Sequence, residues 1–141
     1  MRSQPREPRS QRFMPRMNRA PDGSLTTSLD DQELARSLQR IDELFDLVEQ
    51  IANQGAAQFF DPDTLLRQAA VGTLIQLGEA VKTLPTSYRR ARASVNYQGM
   101  IRLRDKLAHL PGDVDWGLVW TVISERIPDD CDSHRRALSA S

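Results

Sequence analysis

The 141-residue sequence predicts an all-α fold, an antiparallel bundle of four or five helices joined by short loops. Three observations predict it. Apolar residues recur at spacings of three and four through most of the chain. No segment shows the strict alternation of a half-buried strand. The interruptions are short and carry Pro, Gly, Asn or Ser, the residues that end helices and build turns.

Residues 1–27 are rich in Arg, Pro, Ser and Gln and have no apolar period. Such a segment buries too little surface to offset the entropy of ordering, so a disordered basic tail is expected. Met14 and Met17 are alternative starts within it. Ser28 with Asp31 resembles a capping box. Leu34, Leu38, Ile41, Leu44, Phe45, Val48 and Ile51 then define one amphipathic helix, about 29–53, with Asp42, Glu43, Asp46 and Glu49 on its other face. Asn53-Gln54-Gly55 ends it.

A second helix is expected from near Pro62 to Leu84, apolar over a wide arc (Leu65, Leu66, Ala69, Ala70, Leu74, Leu77, Ala80, Val81) and therefore covered on more than one side. Gly72 and Gly78 inside it each cost up to ~1 kcal/mol of helix stability, which close approach of a neighbouring helix would offset. Pro85-Thr86-Ser87 breaks the helix. A short segment, 86–94, leads to a helix at about 97–110 with Met100, Ile101, Leu103 and Leu107 inward, stopped by Pro111-Gly112. The last helix is expected at about 115–126, with Trp116, Val119, Trp120, Val122 and Ile123 inward, ending before Pro128. The organisation is thus a basic tail (1–27), a helical bundle (28–128) and a polar C-terminal tail (129–141).

The net charge of zero conceals a pattern. Residues 1–20 hold six arginines and one acid, Glu7; residues 22–63 hold ten acids with only Arg36 and Arg40; residues 82–106 hold seven basic residues and one acid, Asp105. Such asymmetry bears on partners more than on fold. The single cysteine, Cys131, allows no intramolecular disulfide. With no apolar leader and no membrane-length apolar stretch, a reduced, cytoplasmic setting without a membrane is expected.

Several chemistries lack their residues. There is no Gly-rich phosphate loop and no nucleophile elbow. The two histidines, His109 and His134, have no partner at zinc spacing, so no metal site and no cofactor are expected. Cys131 sits among acids that raise its thiol pKa and blunt it as a nucleophile. His134 falls in the polar tail, where side chains are usually solvated.

What remains is MIRLRDKLAHL, residues 100–110, with Arg102, Arg104, Asp105, Lys106 and His109. Five residues at about 100° each put Arg104 and His109 about 140° apart on an ideal helix, flanking one wide face. Arg can grip phosphate oxygens in a planar fork, and His exchanges protons near neutral pH. Cleavage of RNA by its own 2′-hydroxyl needs those functions and no metal, with both a base and an acid. One chain offers one such histidine; a two-fold dimer would supply the second. Spacing alone equally fits a basic helix end, where a cationic His gains ~0.3–1 kcal/mol from the dipole. Arg102 and Lys106 could attract a phosphate backbone or simply face solvent. Asp105 could orient Arg or His, or pair locally with Arg102. Glu79, in an apolar stretch, should pair with a basic residue across the bundle or orient the site. Tyr97 and Trp120 read as core.

The run Leu74-Ile-Gln-Leu-Gly-Glu-Ala-Val-Lys-Thr-Leu-Pro85, followed by Tyr97-Gln-Gly-Met-Ile-Arg-Leu-Arg-Asp-Lys-Leu-Ala-His109, resembles the HepT-like branch of the HEPN superfamily. Val119-Trp-Thr-Val-Ile-Ser-Glu-Arg-Ile-Pro128 is similar to its closing helix, so the likeness covers about residues 33–128. The resemblance implies an antiparallel helical bundle, usually a dimer, with an R-x(4–6)-H hallmark matched by Arg104 and His109 and a polar residue after the Arg, here Asp105. It implies a metal-independent endoribonuclease acting as the toxin of a toxin–antitoxin pair. The partner implied is a small nucleotidyltransferase antitoxin that can neutralise the toxin by attaching AMP to a tyrosine two residues after the histidine. Here that position is Pro111, which has no hydroxyl to modify. Blocking by the partner, modification elsewhere or loss of the pairing are the alternatives. The rival to the toxin reading is a non-catalytic helical partner, either binding a basic protein through the acidic face of residues 30–49 or regulating a nucleotidyltransferase.

Overall fold

A computed structural model describes residues 29–109 and 112–140. The basic tail, the Ser28 capping box, Leu110 and Pro111 lie outside the described residues. By their contacts, the described residues divide into two units between Arg36 and Ser37. The described part of the first is the start of helix α1 (Leu29–Ala52), whose first turn carries Asp30 and Asp31 where carboxylates meet unpaired amides. Among the described residues every regular element is helical.

From Ser37 onward α1 buries Ile41, Leu44, Phe45, Val48 and Ile51, the expected stripe. The chain then turns through Gly55, whose φ of 89° suits a residue without Cβ. A short helix follows that the sequence reading treats as loop, α2 (Ala56–Phe60). Five residues are too few for an apolar period to register. Its Phe59 is fully buried, with ring centroids 5.2 Å from Trp120 and 6.4 Å from Trp116.

Helix α3 (Leu66–Lys82) begins four residues later than expected. Asp61 and Thr64 hold a turn there: Asp61 Oδ1 accepts the Asp63 N–H at 2.9 Å, and the Thr64 hydroxyl donates to the Asp61 carbonyl at 3.0 Å. Leu65, expected in the core, is left 79% exposed. Ala70, Leu74, Leu77 and Val81 are buried as expected. Helices α1 and α3 run antiparallel, because Ser37 bonds Thr83 and Arg40 bonds Gln76.

After Pro85 come α4 (Thr86–Arg90) and then α5 (Tyr97–His109). Asn96 starts α5 by accepting the Gly99 N–H at 3.0 Å. Tyr97, Met100, Ile101 and Leu107 are buried; Leu103 is half-buried. α5 packs against α3 at Gly78. A Cβ there would strike the Arg104 Cβ and come within 2.9 Å of both the Arg104 Cγ and the Met100 carbonyl oxygen. The expected close helix approach is therefore real at Gly78. At Gly72 a Cβ would meet nothing within 4 Å, so that glycine has no such role.

The last segment corrects the sequence reading. Asp115 caps α6 (Trp116–Thr121) by accepting the Leu118 N–H at 3.1 Å. The helix does not end before Pro128. It passes through a π-helical turn, Val122–Arg126, into α7 (Ile127–Ala140). The Ile127 N–H bonds the Val122 carbonyl five residues back. That extra residue accommodates a proline, which lacks a donor and crowds the preceding turn of an α-helix. Residues expected as a polar tail are thus helical, and His134 is fully buried rather than solvated. Its Nδ1 shares a 2.6 Å hydrogen bond with the Tyr97 hydroxyl, and its ring lies edge-on to Phe45. Beside it, Arg135 ties α7 to α1 through Asp42 (2.7 Å) and Asp46 (3.0 Å). Burial raises the Cys131 thiol; Asp132, Asp42 and Asp46 add to the rise and Arg135 opposes it.

Two measurements test this packing. Gly78→Ala should destabilise by about 1–3 kcal/mol, since the struck Cβ belongs to a helix that must move, whereas Gly72→Ala should stabilise by up to ~1 kcal/mol; urea unfolding of the two variants compares them directly. Burial holds the His134 pKa below its ordinary value, with Arg135 and Arg92 lowering it further and Asp42 opposing. The unfolded ring therefore binds a proton at higher pH than the folded one. Stability should be complete above about pH 6.5 and fall as the pH drops below it, and the slope should flatten in His134→Gln.

Candidate active site on helix α5

Helix α5 carries five of the six expected site residues, and α3 supplies Glu79. Gly78 brings the two helices close enough for Glu79 to reach Arg104. Arg104 Nη2 donates to Glu79 Oε2 at 2.6 Å, and Nη1 donates to Asp105 Oδ1 at 2.9 Å. Glu79 is thus paired across the bundle as expected, although its side chain is half exposed rather than buried. Asp105 pairs with Arg104, not with Arg102. Two carboxylates on one guanidinium leave this cluster with one net negative charge.

The electrostatics follow from these bonds. The Arg104 hydrogen bond holds the Asp105 carboxyl below the ordinary carboxylate range; partial burial opposes it, and Lys82, Arg104 and His109 add attraction. The bonds to Glu79 and then Asp105 raise the Arg104 pKa further. Lys82 is a contributor the sequence reading did not single out. Its signal was present: it lies three residues after Glu79, on the same side of α3.

His109 closes the arrangement. Its Nδ1 lies 2.6 Å from the Asp105 carbonyl oxygen, one helical turn back. A carbonyl oxygen only accepts, so Nδ1 carries the hydrogen. In the neutral ring the lone pair is then on Nε2. The ring itself is exposed, so that lone pair is accessible for proton transfer. Asp105 therefore contributes twice, its carboxylate to Arg104 and its backbone to His109.

Arg102 and Lys106 are exposed and form no ion pair among the described residues, so the structure does not join them to this cluster. Tyr97 is buried and Trp120 half-buried, in keeping with a core role. Among the described residues no group of three or more His, Cys, Asp or Glu is placed to hold a metal ion, and no helix is long and apolar enough to cross a membrane.

The helices that carry this geometry lie inside the region that known proteins match. The family model described as Ribonuclease HepT-like matches residues 28–131. The chain belongs to the HepT-like ribonuclease family, within the HEPN superfamily. It is 31% identical over 91 residues to the Probable ribonuclease HepT of Thermococcus cleftensis, covering 64% of this chain and 83% of that one. It is 34% identical over 71 residues to a candidate RNase of Methanocaldococcus jannaschii, covering 50% of this chain and 59% of that one. A candidate RNase of Caldanaerobacter subterraneus is 36% identical over 70 residues, covering 50% and 62%. No solved structure matches the chain significantly.

The hydrogen bond to Asp105 has a spectroscopic consequence. In 15N-resolved NMR of the neutral ring, His109 should be the Nδ1–H tautomer, whereas exposed histidines usually favour Nε2–H. An Nε2–H majority would show that the bond does not hold in solution.

Proposed function

We propose that the chain is a metal-independent endoribonuclease that works as a homodimer and serves as the toxin of a HEPN/nucleotidyltransferase pair. The observation that carries the reading is the His109 tautomer: a lone pair on an exposed Nε2, held by a backbone carbonyl, on the helix that also carries Arg104. Family membership supports the substrate class.

In this reading His109 Nε2 takes the proton from a ribose 2′-hydroxyl. The 2′-oxygen bonds to phosphorus and the P–O5′ bond breaks. The departing O5′ takes a proton from the protonated His109 of the second protomer. The products are a 2′,3′-cyclic phosphate and a 5′-hydroxyl. A dimer is required because a single chain supplies one exposed histidine on α5 for two proton transfers. Arg104 stabilises charge on the phosphate, with Glu79 and Asp105 as positioning residues; Arg102 and Lys106 draw the backbone in.

The proposed antitoxin neutralises the site by covering it. The chain has two tyrosines, Tyr88 and Tyr97, and both hydroxyls are buried, so neither is exposed as an acceptor of AMP. The second reading, a non-catalytic partner of a nucleotidyltransferase, is favoured by one observation: Arg104 is already neutralised by two carboxylates.

Cleavage of a labelled RNA in EDTA separates the two. The wild type should cut and leave a cyclic phosphate end, and His109→Ala should lose at least about 100-fold in rate while keeping its fold and oligomeric state. A folded, dimeric wild type that leaves RNA intact would favour the binding partner.

A further inference from the structure

Some cations of this molecule lie beside carboxylates, and a group on one stretch of chain does not. Arg40, Arg104 and Arg135 lie within ion-pair distance of carboxylates. Lys82, Arg89, Arg90, Arg102 and Lys106 do not, among the described residues. All five fall on the end of α3, on α4 or on α5. The stretch from Lys82 to Arg104 contains no acid at all. Cations gathered on a segment without acids create a positive potential that neutral net charge hides.

Two features give that potential a shape. A cleft of about 480 Å³ lies between α4 and the start of α5, lined by Arg89, Arg90, Thr86, Ser94 and Asn96 among others and by no carboxylate. Arg89 donates through Nε to the Leu84 carbonyl (3.3 Å) and through Nη2 to the Thr86 hydroxyl (3.5 Å), which anchor the fork and leave Nη1 available. Arg90 is exposed. Asn96 also lines a second groove, of about 220 Å³, which follows α5 past Gly99 and Arg102 and receives Arg126 from the π turn. Its one carboxylate, Asp130, is bonded to the Asn96 N–H at 3.0 Å. Beyond the groove, Lys106 and His109 continue the line. Gly99, Arg102, Lys106 and His109 are spaced three, four and three apart, so they share one face of α5, within about 80°.

We infer that the Arg89–Arg90 cleft is a second phosphate site for the RNA strand, joined to His109 by the Arg102–Lys106 face of α5. The inference rests on the ribonuclease reading and deepens it: the substrate is single-stranded and long enough to bridge both sites. Tyr97 and His109, at the two ends of α5, are about 18 Å apart along the helix axis. That separation spans a few nucleotides of an extended strand. Single-stranded RNA suits a track of this form, because its backbone can follow a curved groove while a rigid duplex cannot. Arg89 and Arg90 touch no reacting atom; they hold the strand in register.

The test uses the full-length chain. RNA binding is measured by fluorescence anisotropy in the non-cleaving His109→Ala background, as a function of salt, with and without Arg89→Gln/Arg90→Gln. The double variant should bind a single-stranded 12-mer more weakly and reduce the slope of log K against log salt by about 1.4, for two phosphate contacts at ~0.7 each. Arg89→Lys/Arg90→Lys, which keeps the charge, should restore most of the slope. With His109 intact, the double variant should raise KM for the 12-mer and leave cleavage of a dinucleotide unchanged. An unaltered slope and affinity in a folded double variant would overturn the inference, even if the wild type cleaves RNA. So would binding to anionic vesicles with none to RNA. Conversely, a reduced slope in a protein that never cleaves would uphold the second site while the nuclease reading failed.

Discussion

Helices α3 and α5 can approach as closely as they do because residue 78 has no Cβ, and the candidate site is assembled on that contact. Any larger residue would strike the Arg104 Cβ and crowd the Met100 carbonyl. With the helices held together, the next residue on α3, Glu79, reaches the guanidinium of Arg104. Arg104 in turn draws the Asp105 carboxylate onto its other Nη. The backbone of Asp105, already committed to the helix, accepts from His109 Nδ1. A steric allowance on one helix thus sets an ion pair with the next, beside a histidine whose tautomer its own helix fixes. The glycine weakens α3 as an isolated helix, and the packing it permits offsets that loss.

The same chain of contacts explains why the arginine and the histidine are not equivalent parts of a motif. Arg104 faces α3 and is held by acids; His109 faces solvent on the other side of α5. Carboxylates beside the guanidinium keep it ordered but cancel its charge. Among the described residues, Arg89 and Arg90 on α4 and Arg102 and Lys106 on α5 lie in no ion pair. Rigid placement and free positive charge therefore sit on different residues.

A second polar contact stabilises the far end of the bundle. Tyr97 opens α5 and bonds His134, which α7 buries against Phe45 of α1. Burial keeps the ring neutral and pushes the Tyr97 hydroxyl up to about 12, so both partners stay uncharged through the physiological range. Neighbouring Arg135, Asp42 and Asp46 add an ion-paired seam between α1 and α7 at the surface. Ordering of the start of α5 thus depends on residues more than thirty positions away in the chain.

The sequence by itself determined the helical class, the stripes Ile41–Ile51 on α1 and Ala70–Val81 on α3, the start of α5, and the identity of the residues around Arg104 and His109. These are local properties: a 3.6-residue period and the residues that interrupt it can be read without knowing what covers them. It also suggested close approach at the glycines of α3, but not which glycine. Only the tertiary structure decided for Gly78 over Gly72, because the difference is the presence of Arg104 from another helix. Only it carried the last helix through Pro128, since a π turn leaves no mark in an apolar pattern. It moved His134 from an expected solvated tail into the core, where Phe45 and Tyr97 from distant segments enclose it. And it gave Asp105 to Arg104 instead of Arg102, because Glu79 on α3 fixes which way the guanidinium points. Patterns along the chain define faces; which groups meet across those faces is set by packing between segments far apart in sequence.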